Sequence, residues 1–259
     1  MVQYIITAIV CFFAGVGAGL GTGFAGMSAA AVITPMLVTF LGVEPYMAVG
    51  IALASDVLAS AVSAYTYGKN KNLDVKNGIA MMLAVLVFTV VGSYVSSLVP
   101  SRTMGNFSVF MTLLLGIKFI VKPVMTTKED MTATPMRIRI IKSVLCGVVV
   151  GFICGFVGAG GGMMMLLLLT SVLGYELKTA VGTSVFIMTF TALTGSLSHF
   201  AIGGMPDWLP FLLCVAFTLV FAQIAAKLAN KASTKTLNRA TGVILVILGI
   251  AVLGFSMIK

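Results

Sequence analysis

Two glycine-rich stretches decide the fold of this chain: GTGFAGMS at residues 21–28 and GFVGAGGGMMM at residues 155–165. Each stretch follows a long apolar run and precedes a shorter one. A glycine inside a helix costs roughly 1 kcal/mol relative to alanine, so the three consecutive glycines at 160–162 predict a helix break. Inside a bilayer, backbone amides freed by a break are tolerated only where a cavity or a ligand satisfies them. We therefore predict two intramembrane breaks, each followed by a short half-helix.

The composition of the whole chain is that of a membrane protein. Of its 259 residues, 59% are apolar and 9% are charged, whereas about a quarter of a soluble domain is charged. No charged residue precedes Glu44, and none lies between Lys142 and Glu176, so each gap can hold membrane helices. The net charge of +9 comes from basic residues in short connections between apolar runs. This pattern indicates membrane topology, and nucleic acid is not expected as a partner.

Apolar runs predict two membrane repeats joined by a polar stretch. The first repeat is predicted at 1–121, a cytoplasmic loop at 122–142, and the second repeat at 143–259. The second apolar segment of each half, at 27–42 and at 161–174, is shorter than the ~20 residues that a spanning helix needs. If these short segments are half-helices, the number of crossings lies between eight and ten.

The two halves are copies of one another. Moving each residue forward by 132 positions places GFAG at 23–26 on GFVG at 155–158, and LGVE at 41–44 on LGYE at 173–176. The matched residues lie in the break and in the connection after the half-helix. The similarity therefore indicates duplication rather than shared apolar composition.

Basic residues predict the orientation of the two copies. Lys69 and Lys76 place the connection after the third segment of the first half inside, because cytoplasmic loops carry an excess of Lys and Arg. The equivalent connection of the second half, at 203–207, has no basic residue and is predicted outside. If every segment counts as a crossing, all Lys and Arg except Arg102 and Lys259 are then cytoplasmic. The predicted fold is an all-α polytopic membrane protein with two inverted-topology repeats of about four to five hydrophobic segments each, an architecture of transporters.

The glycine breaks are the predicted binding site for an anion. A half-helix that begins inside the membrane directs its first N–H groups and the positive end of its dipole at the break. Thr183 and Ser184 carry hydroxyl groups that can complete the hydrogen bonding, and the alternative is that they bond back to their own helix. The predicted substrate-binding residues are Gly23, Gly26, Ser28, Gly158, Gly160, Gly161, Gly162, Thr183 and Ser184.

Asp56 is an acidic residue midway along the third apolar segment. An ionised side chain there costs about 2.5 to 3.5 kcal/mol on insertion scales, and such residues face a cavity or a partner. No basic residue lies at a similar depth, so Asp56 is a candidate to carry a proton or to sense a cation. The alternative is a neutral Asp56 hydrogen-bonded to Ser55 or Ser60. The second copy has Met188 at this position, so any such role is asymmetric.

Other polar and small residues have simpler interpretations. His199, the only histidine, is a second candidate for proton relay, with a non-functional place at the membrane interface as the alternative. Asp74 and Asp207 follow the third segments and are predicted to be solvated or to cap a helix. Gly15 and Gly19 are predicted to let helices pack closely, as are their counterparts in the second half. The four cysteines lie in apolar runs without paired spacing, so no metal site or cofactor is predicted.

Together these motifs resemble the TauE/SafE family of membrane proteins, also called the sulfite exporter family. The resemblance covers nearly the whole chain as two copies. Its carriers are GTGFAG at 21–26, GFVGAGGG at 155–162, LGVEPYMAVG at 41–50, LGYELKTAVGTS at 173–184 and MPDW at 205–208. It implies transport of a small sulfur-containing anion, such as sulfite, thiosulfate or an organosulfonate, across the bacterial inner membrane. The family's glycine break falls on the glycines named above, and its GTS motif falls on 182–184.

The first half departs from the family pattern. Gly50, Ile51 and Ala52 stand where a GTS motif is expected, and the family pattern has no acidic residue at the position of Asp56. Both the substrate and its coupling ion therefore need independent arguments.

The main functional hypothesis is a secondary transporter that moves a small anion by alternating access, with proton coupling through Asp56. Its predicted partners are the anion, a proton and the lipid bilayer, and its oligomeric state is open, with a homodimer among the alternatives. A different class of function is a non-transporting membrane scaffold or sensor associated with sulfur metabolism. An enzyme is not predicted, because the chain has no HExxH motif and no clear nucleophile and base pair.

Overall fold

The structure, a computed structural model, describes residues 2–97, 105–133, 135–157 and 161–257. In these residues the chain forms eleven helices and is all-α. The helices are α1 (Val2–Ala25), α2 (Ala30–Leu41), α3 (Pro45–Lys69), α4 (Val75–Ser97), α5 (Gly105–Val121), α6 (Lys128–Ala133), α7 (Met136–Val157), α8 (Gly161–Ser171), α9 (Leu177–Gly203), α10 (Trp208–Lys231) and α11 (Thr234–Met257).

The length and composition of six helices in the described ranges are sufficient to cross a membrane. They are Val2–Ala25, Pro45–Lys69, Val75–Gly92, Leu177–Ala201, Trp208–Lys231 and Thr234–Gly254. The chain is therefore an all-α polytopic membrane protein, as the sequence predicted. The number of crossings stays a prediction.

Two short helices follow the glycine-rich stretches. α2 has 12 residues and α8 has 11, which at 1.5 Å per residue is little more than half of the hydrocarbon thickness. Gly26 ends α1 because it adopts a left-handed conformation with φ of 60°, and its N–H donates to the carbonyl oxygen of Thr22 at 2.9 Å. This is the hydrogen bond of a glycine-terminated helix. The predicted break before the first half-helix is thus a helix end followed by a new start at Ala30.

Glycine residues of α1 allow it to lie directly on α10 of the other half. Gly15 contacts the backbone at Thr218, and a Cβ atom added at Gly19 would lie 2.7 Å from the amide nitrogen of Ala222. The contact positions rise together along both helices, so α1 and α10 run parallel. A larger residue on this face of α1 would separate the two helices.

The second half repeats this arrangement with α7 against α4. A Cβ atom at Gly147 would lie 2.6 Å from the carbonyl oxygen of Met81, and one at Gly151 would lie 2.5 Å from that of Val85. These two helices are also parallel. Both glycine-lined contacts therefore join one half to the other, as the packing interpretation of these glycines predicted.

Equivalent helices of the two halves run antiparallel. α3 meets α9 with Gly50 beside Phe200 at one end and Tyr67 beside Gly182 at the other. α5 meets α11 in the same way. Antiparallel pairing of equivalent helices supports the inverted relation of the repeats, which stays a prediction.

The polar stretch at 122–142 is not a single loop, contrary to the sequence prediction. It contains α6 and the first residues of α7, which begins at Met136. Pro135 directly precedes α7, and its carbonyl oxygen accepts from the N–H of Arg139 at 3.1 Å. Proline is well tolerated at a helix start, where its missing N–H is not needed. Pro135, one of the two prolines of this stretch, therefore marks a helix start.

Candidate substrate and coupling site

The two glycine breaks meet inside the molecule. Gly162, in the first turn of α8, packs directly against the carbonyl oxygen of Gly26, and a Cβ atom there would also lie 3.2 Å from the amide nitrogen of Ser28. No side chain larger than hydrogen fits at this contact. The starts of α2 and α8 therefore lie close together.

A cavity of about 420 Å³ lies beside this meeting point. It is bounded by α3, α4, α7, α8 and α9 and by the break between α1 and α2. Five of the residues that the sequence singled out line it: Ser28, Asp56, Gly161, Gly162 and His199. The structure thus brings both proton-relay candidates and part of the predicted anion site to one cavity.

The hydroxyl groups that α4 and α9 bring to the cavity wall are engaged with their own helices. Thr89, Thr194 and Ser198 each donate to a carbonyl oxygen four residues earlier, at 2.7 to 2.9 Å. Thr191 also bonds within its own helix. A hydroxyl whose hydrogen is used in this way offers only its oxygen to the cavity. Donors for an anion must therefore come mainly from the backbone at the helix starts.

Asp56 is 1% exposed and its carboxylate lies at the start of α2. One oxygen accepts from the N–H of Ala29 at 3.1 Å, and Ala29 is the N-cap residue of α2. The other oxygen lies 3.3 Å from the hydroxyl of Ser60 and 3.5 Å from that of Thr22. Among the described residues, no Lys or Arg forms an ion pair with Asp56. The carboxylate therefore occupies the electropositive end of the first half-helix without a cationic partner.

The start of α8 has no such carboxylate. Its counterpart of Asp56 is Met188, and a Cβ atom added at Gly162 would lie 2.6 Å from the Met188 sulfur. Met188 also lines the cavity. The start of α2 thus contacts an acidic side chain, whereas the start of α8 contacts a thioether and borders the cavity.

His199 lies on the part of α9 that lines the cavity farthest from the breaks. Its Nδ1 lies 3.1 Å from the carbonyl oxygen of Tyr46, and the two rings stack with centroids 4.2 Å apart. Because a carbonyl oxygen only accepts, Nδ1 carries the hydrogen in this contact.

Four of the predicted substrate-binding residues lie away from the cavity wall, and two are not described. Gly23 is inside α1 and packs on α10, where the Tyr67 hydroxyl donates to its carbonyl oxygen at 2.8 Å. Gly26, Thr183 and Ser184 lie in a contact between the halves. Gly158 and Gly160 lie outside the described residues.

Comparison with known proteins agrees with these observations. The model of the family "Sulfite exporter TauE/SafE" matches residues 11–252 of the chain. The chain belongs to the TauE/SafE family. The resemblance that the motifs predicted is confirmed, and the TauE/SafE family is one of membrane transporters and not of enzymes, as predicted.

Curated relatives match nearly the full length of this TauE/SafE chain. It is 28% identical over 263 residues to the probable membrane transporter protein YunE of Bacillus subtilis, covering 95% of this chain and 96% of the relative. It is 25% identical to probable membrane transporter proteins of Methanocaldococcus jannaschii, covering 91% and 88%, and of Haemophilus influenzae, covering 91% and 90%. With the six spanning-type helices, these matches identify an integral membrane protein of the bacterial inner membrane.

The GTS motif of this TauE/SafE protein holds the two halves together. Gly182 packs directly on the carbonyl oxygen of Asn72, in the connection between α3 and α4. The hydroxyl of Thr183 accepts from the N–H of Asp74 at 3.2 Å, and Ser184 packs on Gly26 while donating to its own helix. The motif therefore docks the connection and the break of the first half onto α9.

Sequence reasoning missed a buried polar cluster around Asp74. This carboxylate caps α4 by accepting from the N–H of Asn77 at 3.2 Å, as one of its predicted roles required. It is not solvated, because it also pairs with Arg139 and accepts from the Tyr175 hydroxyl at 2.9 Å. Burial opposes its ionisation, but the hydrogen bonds from Asn77 and Tyr175 and the charge of Arg139 outweigh burial and lower the pKa of Asp74. The basic residues at 137–142 were the sequence signal that could have indicated a partner for Asp74.

Proposed function

We propose that this TauE/SafE transporter moves a small anion by alternating access, with Asp56 as the residue that couples transport to a proton. The observation that carries the proposal is the unequal pair of half-helix starts at one cavity. The start of α2 already holds the carboxylate of Asp56. The start of α8 opens on the cavity through Gly161 and Gly162.

The substrate is proposed to bind at the start of α8. Free N–H groups in a helix's first turn and the positive end of its dipole together form an anion site. Gly161 and Gly162 bring no side chains of their own to this helix start and line the cavity, with Cys154 and Met188 packed beside them. The cavity volume of about 420 Å³ lies within the usual range for small-molecule pockets, so an organosulfonate fits as well as sulfite. Sulfur chemistry itself rests on the family description.

Proton coupling follows from the position of Asp56. An ionised Asp56 repels an anion in the same cavity. The repulsion is strong because water screens two charges only weakly at a buried site. A proton on the carboxylate removes this repulsion. Anion and proton therefore bind together more favourably than either binds alone, which is the thermodynamic requirement for symport.

Thermal stability in detergent tests this proposal. The purified protein is heated with sulfite, thiosulfate, sulfate, taurine, sulfoacetate, acetate or phosphate at two pH values, since a ligand of the folded state raises stability by mass action. We expect a selective shift that is larger at the lower pH. In Asp56→Asn the shift should persist and lose its pH dependence.

Ser60→Ala is the matched control, because it removes a hydrogen bond to Asp56 and keeps the carboxylate. It should retain the pH dependence of the wild type. An unchanged pH dependence in Asp56→Asn would contradict proton coupling through this residue. The absence of any anion-induced shift would favour the non-transporting scaffold or sensor.

A further inference from the structure

A buried ion pair joins the two repeats at the end of the molecule opposite His199. Asp74 belongs to the connection between α3 and α4, whereas Arg139 belongs to α7, and their side chains are 11% and 10% exposed. Tyr175, in the connection between α8 and α9, is fully buried beside them. In the predicted orientation this cluster lies at the cytoplasmic end.

The Asp74 carboxylate is held as a ligand is held in a binding site. One of its oxygens accepts from the Tyr175 hydroxyl at 2.9 Å, from the Asn77 side-chain amide at 2.6 Å and from the Arg139 guanidinium. The Arg139 guanidinium carbon also lies 5.8 Å from the centre of the Tyr175 ring. Two of these three donors, Arg139 and Tyr175, belong to the second repeat, and the carboxylate belongs to the first.

Arg139 has binding capacity left over. The residue is 8% exposed, and its Nε atom is buried without a hydrogen-bond partner in the described part of the chain. A guanidinium presents its donors in a planar fork that suits two oxygens of one oxyanion. The contacts with Asp74 and Tyr175 leave the Nε donor of that fork unused.

The cluster is absent from the equivalent place in the other repeat. Moving back by 132 positions places Thr7 at the position of Arg139 and Val43 at that of Tyr175. The same shift places Pro206 opposite Asp74, and the neighbouring acidic residue, Asp207, is exposed. The ion pair is therefore not a feature that the duplicated fold requires.

We propose that Arg139 and Tyr175 form a second anion site, at the cytoplasmic end of the transport path, which the Asp74 carboxylate occupies as a tethered ligand in this conformation. This inference rests on the proposed transport function. When the cytoplasmic side opens, the connection that carries Asp74 leaves, and the transported anion replaces the carboxylate beside Arg139 and Tyr175.

Replacement of the Asp74 carboxylate by the anion makes opening of the cytoplasmic side depend on the anion. Removing one partner of a buried ion pair leaves an uncompensated buried charge, which is strongly unfavourable. An anion that takes the place of Asp74 removes this cost. Opening toward the cytoplasm is therefore favoured when a substrate anion is present to meet Arg139.

Chemical rescue of Asp74→Ser tests the site. Serine keeps an N-cap residue for α4 and removes the carboxylate. We expect the variant to be less stable than the wild type and to regain thermal stability with formate or acetate in a saturable manner. In Asp74→Ser combined with Arg139→Gln, the apparent affinity for formate should fall about tenfold or more, as expected for loss of a charge-assisted hydrogen bond.

Asp207→Ser is the matched control, because it removes the exposed acidic residue near the equivalent place in the second repeat and should show no formate-dependent stabilisation beyond that of the wild type. Equal rescue with and without Arg139, or no rescue of Asp74→Ser, would overturn the proposal. If Asp74→Ser does not fold, Asp74→Ala purified in the presence of formate gives the same comparison, and its failure to fold with formate would also count against the site. The anion panel on the wild-type protein tests binding at the central cavity independently of the formate experiment. Failure of the proposed transport site is therefore distinguishable from failure of the second anion site.

Discussion

Asp56 and Met188 occupy equivalent positions and face the starts of the two half-helices. One side chain supplies a carboxylate to α2, and the other presents a thioether to α8. In the proposed transport function, this difference in side chain leaves the start of α8, and not that of α2, for the substrate anion. The proposed binding asymmetry thus depends on one pair of residues.

Met188→Asp should abolish anion binding at neutral pH. The new carboxylate would compete for the start of α8 as Asp56 does at α2, and insertion scales put its cost at about 2.5 to 3.5 kcal/mol of stability. The measurement is the anion-induced shift in unfolding temperature. Met188→Leu, which keeps an apolar side chain, should bind normally. A wild-type shift in Met188→Asp would place the substrate elsewhere.

Stability should depend on pH through Asp74. Its folded pKa is lowered from an unfolded value of about 4. The ionised form therefore stabilises the fold above about pH 4, and this contribution is lost as the pH falls through the lower folded value. Unfolding temperatures of wild type and Asp74→Asn should differ at pH 7 and converge in acid. A constant difference down to pH 3 would contradict this assignment.

At the scale of helices, close contacts between glycine faces and neighbouring backbones hold the halves together. Gly151→Ala should destabilise the protein by about 1 to 3 kcal/mol, because the new Cβ atom would lie 2.5 Å from the carbonyl oxygen of Val85. Gly254→Ala is the matched control, since nothing lies within 4 Å of a Cβ atom there. It should be neutral or stabilising by up to about 1 kcal/mol. Equal unfolding temperatures for the two variants would disprove the close contact.

The helices and their breaks were predictable because apolar length and glycine density are local signals. Both short helices were expected from segments at 27–42 and 161–174. The start of α7 was not, because Pro135 is compatible with a loop and with a helix start. The role of Thr183 was also unpredictable, since its partner Asp74 lies 109 residues away along the chain. Pairing across the duplication carries no local sequence signal.

The candidate site was predictable in part for the same reason. An acidic residue within an apolar segment, with no basic residue at a similar depth, can be recognised from the sequence as a candidate. Asp56 is such a residue, and both Asp56 and His199 line the cavity. The cluster of Asp74, Arg139 and Tyr175 depends on two connections and the start of α7, which meet only in the folded chain. In the sequence alone, Asp74 looks like a helix cap, Arg139 like a basic residue that marks the cytoplasmic side, and Tyr175 like an apolar side chain.

At the scale of the molecule, cysteine labelling tests the predicted orientation. Met205, between α9 and α10, is 74% exposed, and Lys128, in the central stretch, is also exposed. In intact cells an impermeant thiol reagent should label Met205→Cys, whereas Lys128→Cys should react only after the membrane is permeabilised. Labelling of both residues from the same side would exclude the inverted arrangement. The parent protein, whose cysteines are buried or half-buried, is the background control.

The glycine-lined contacts of α1 with α10 and of α7 with α4 also bear on ancestry. A single repeat that assembled with an identical copy of itself could form the same contacts between two separate chains. In such a pair every substitution appears twice, so both helix starts would carry the same side chain. A pair of identical chains therefore cannot keep a carboxylate at one start and a thioether at the other. In the duplication that the sequence predicts, joining the two copies in one chain allows the two helix starts to diverge.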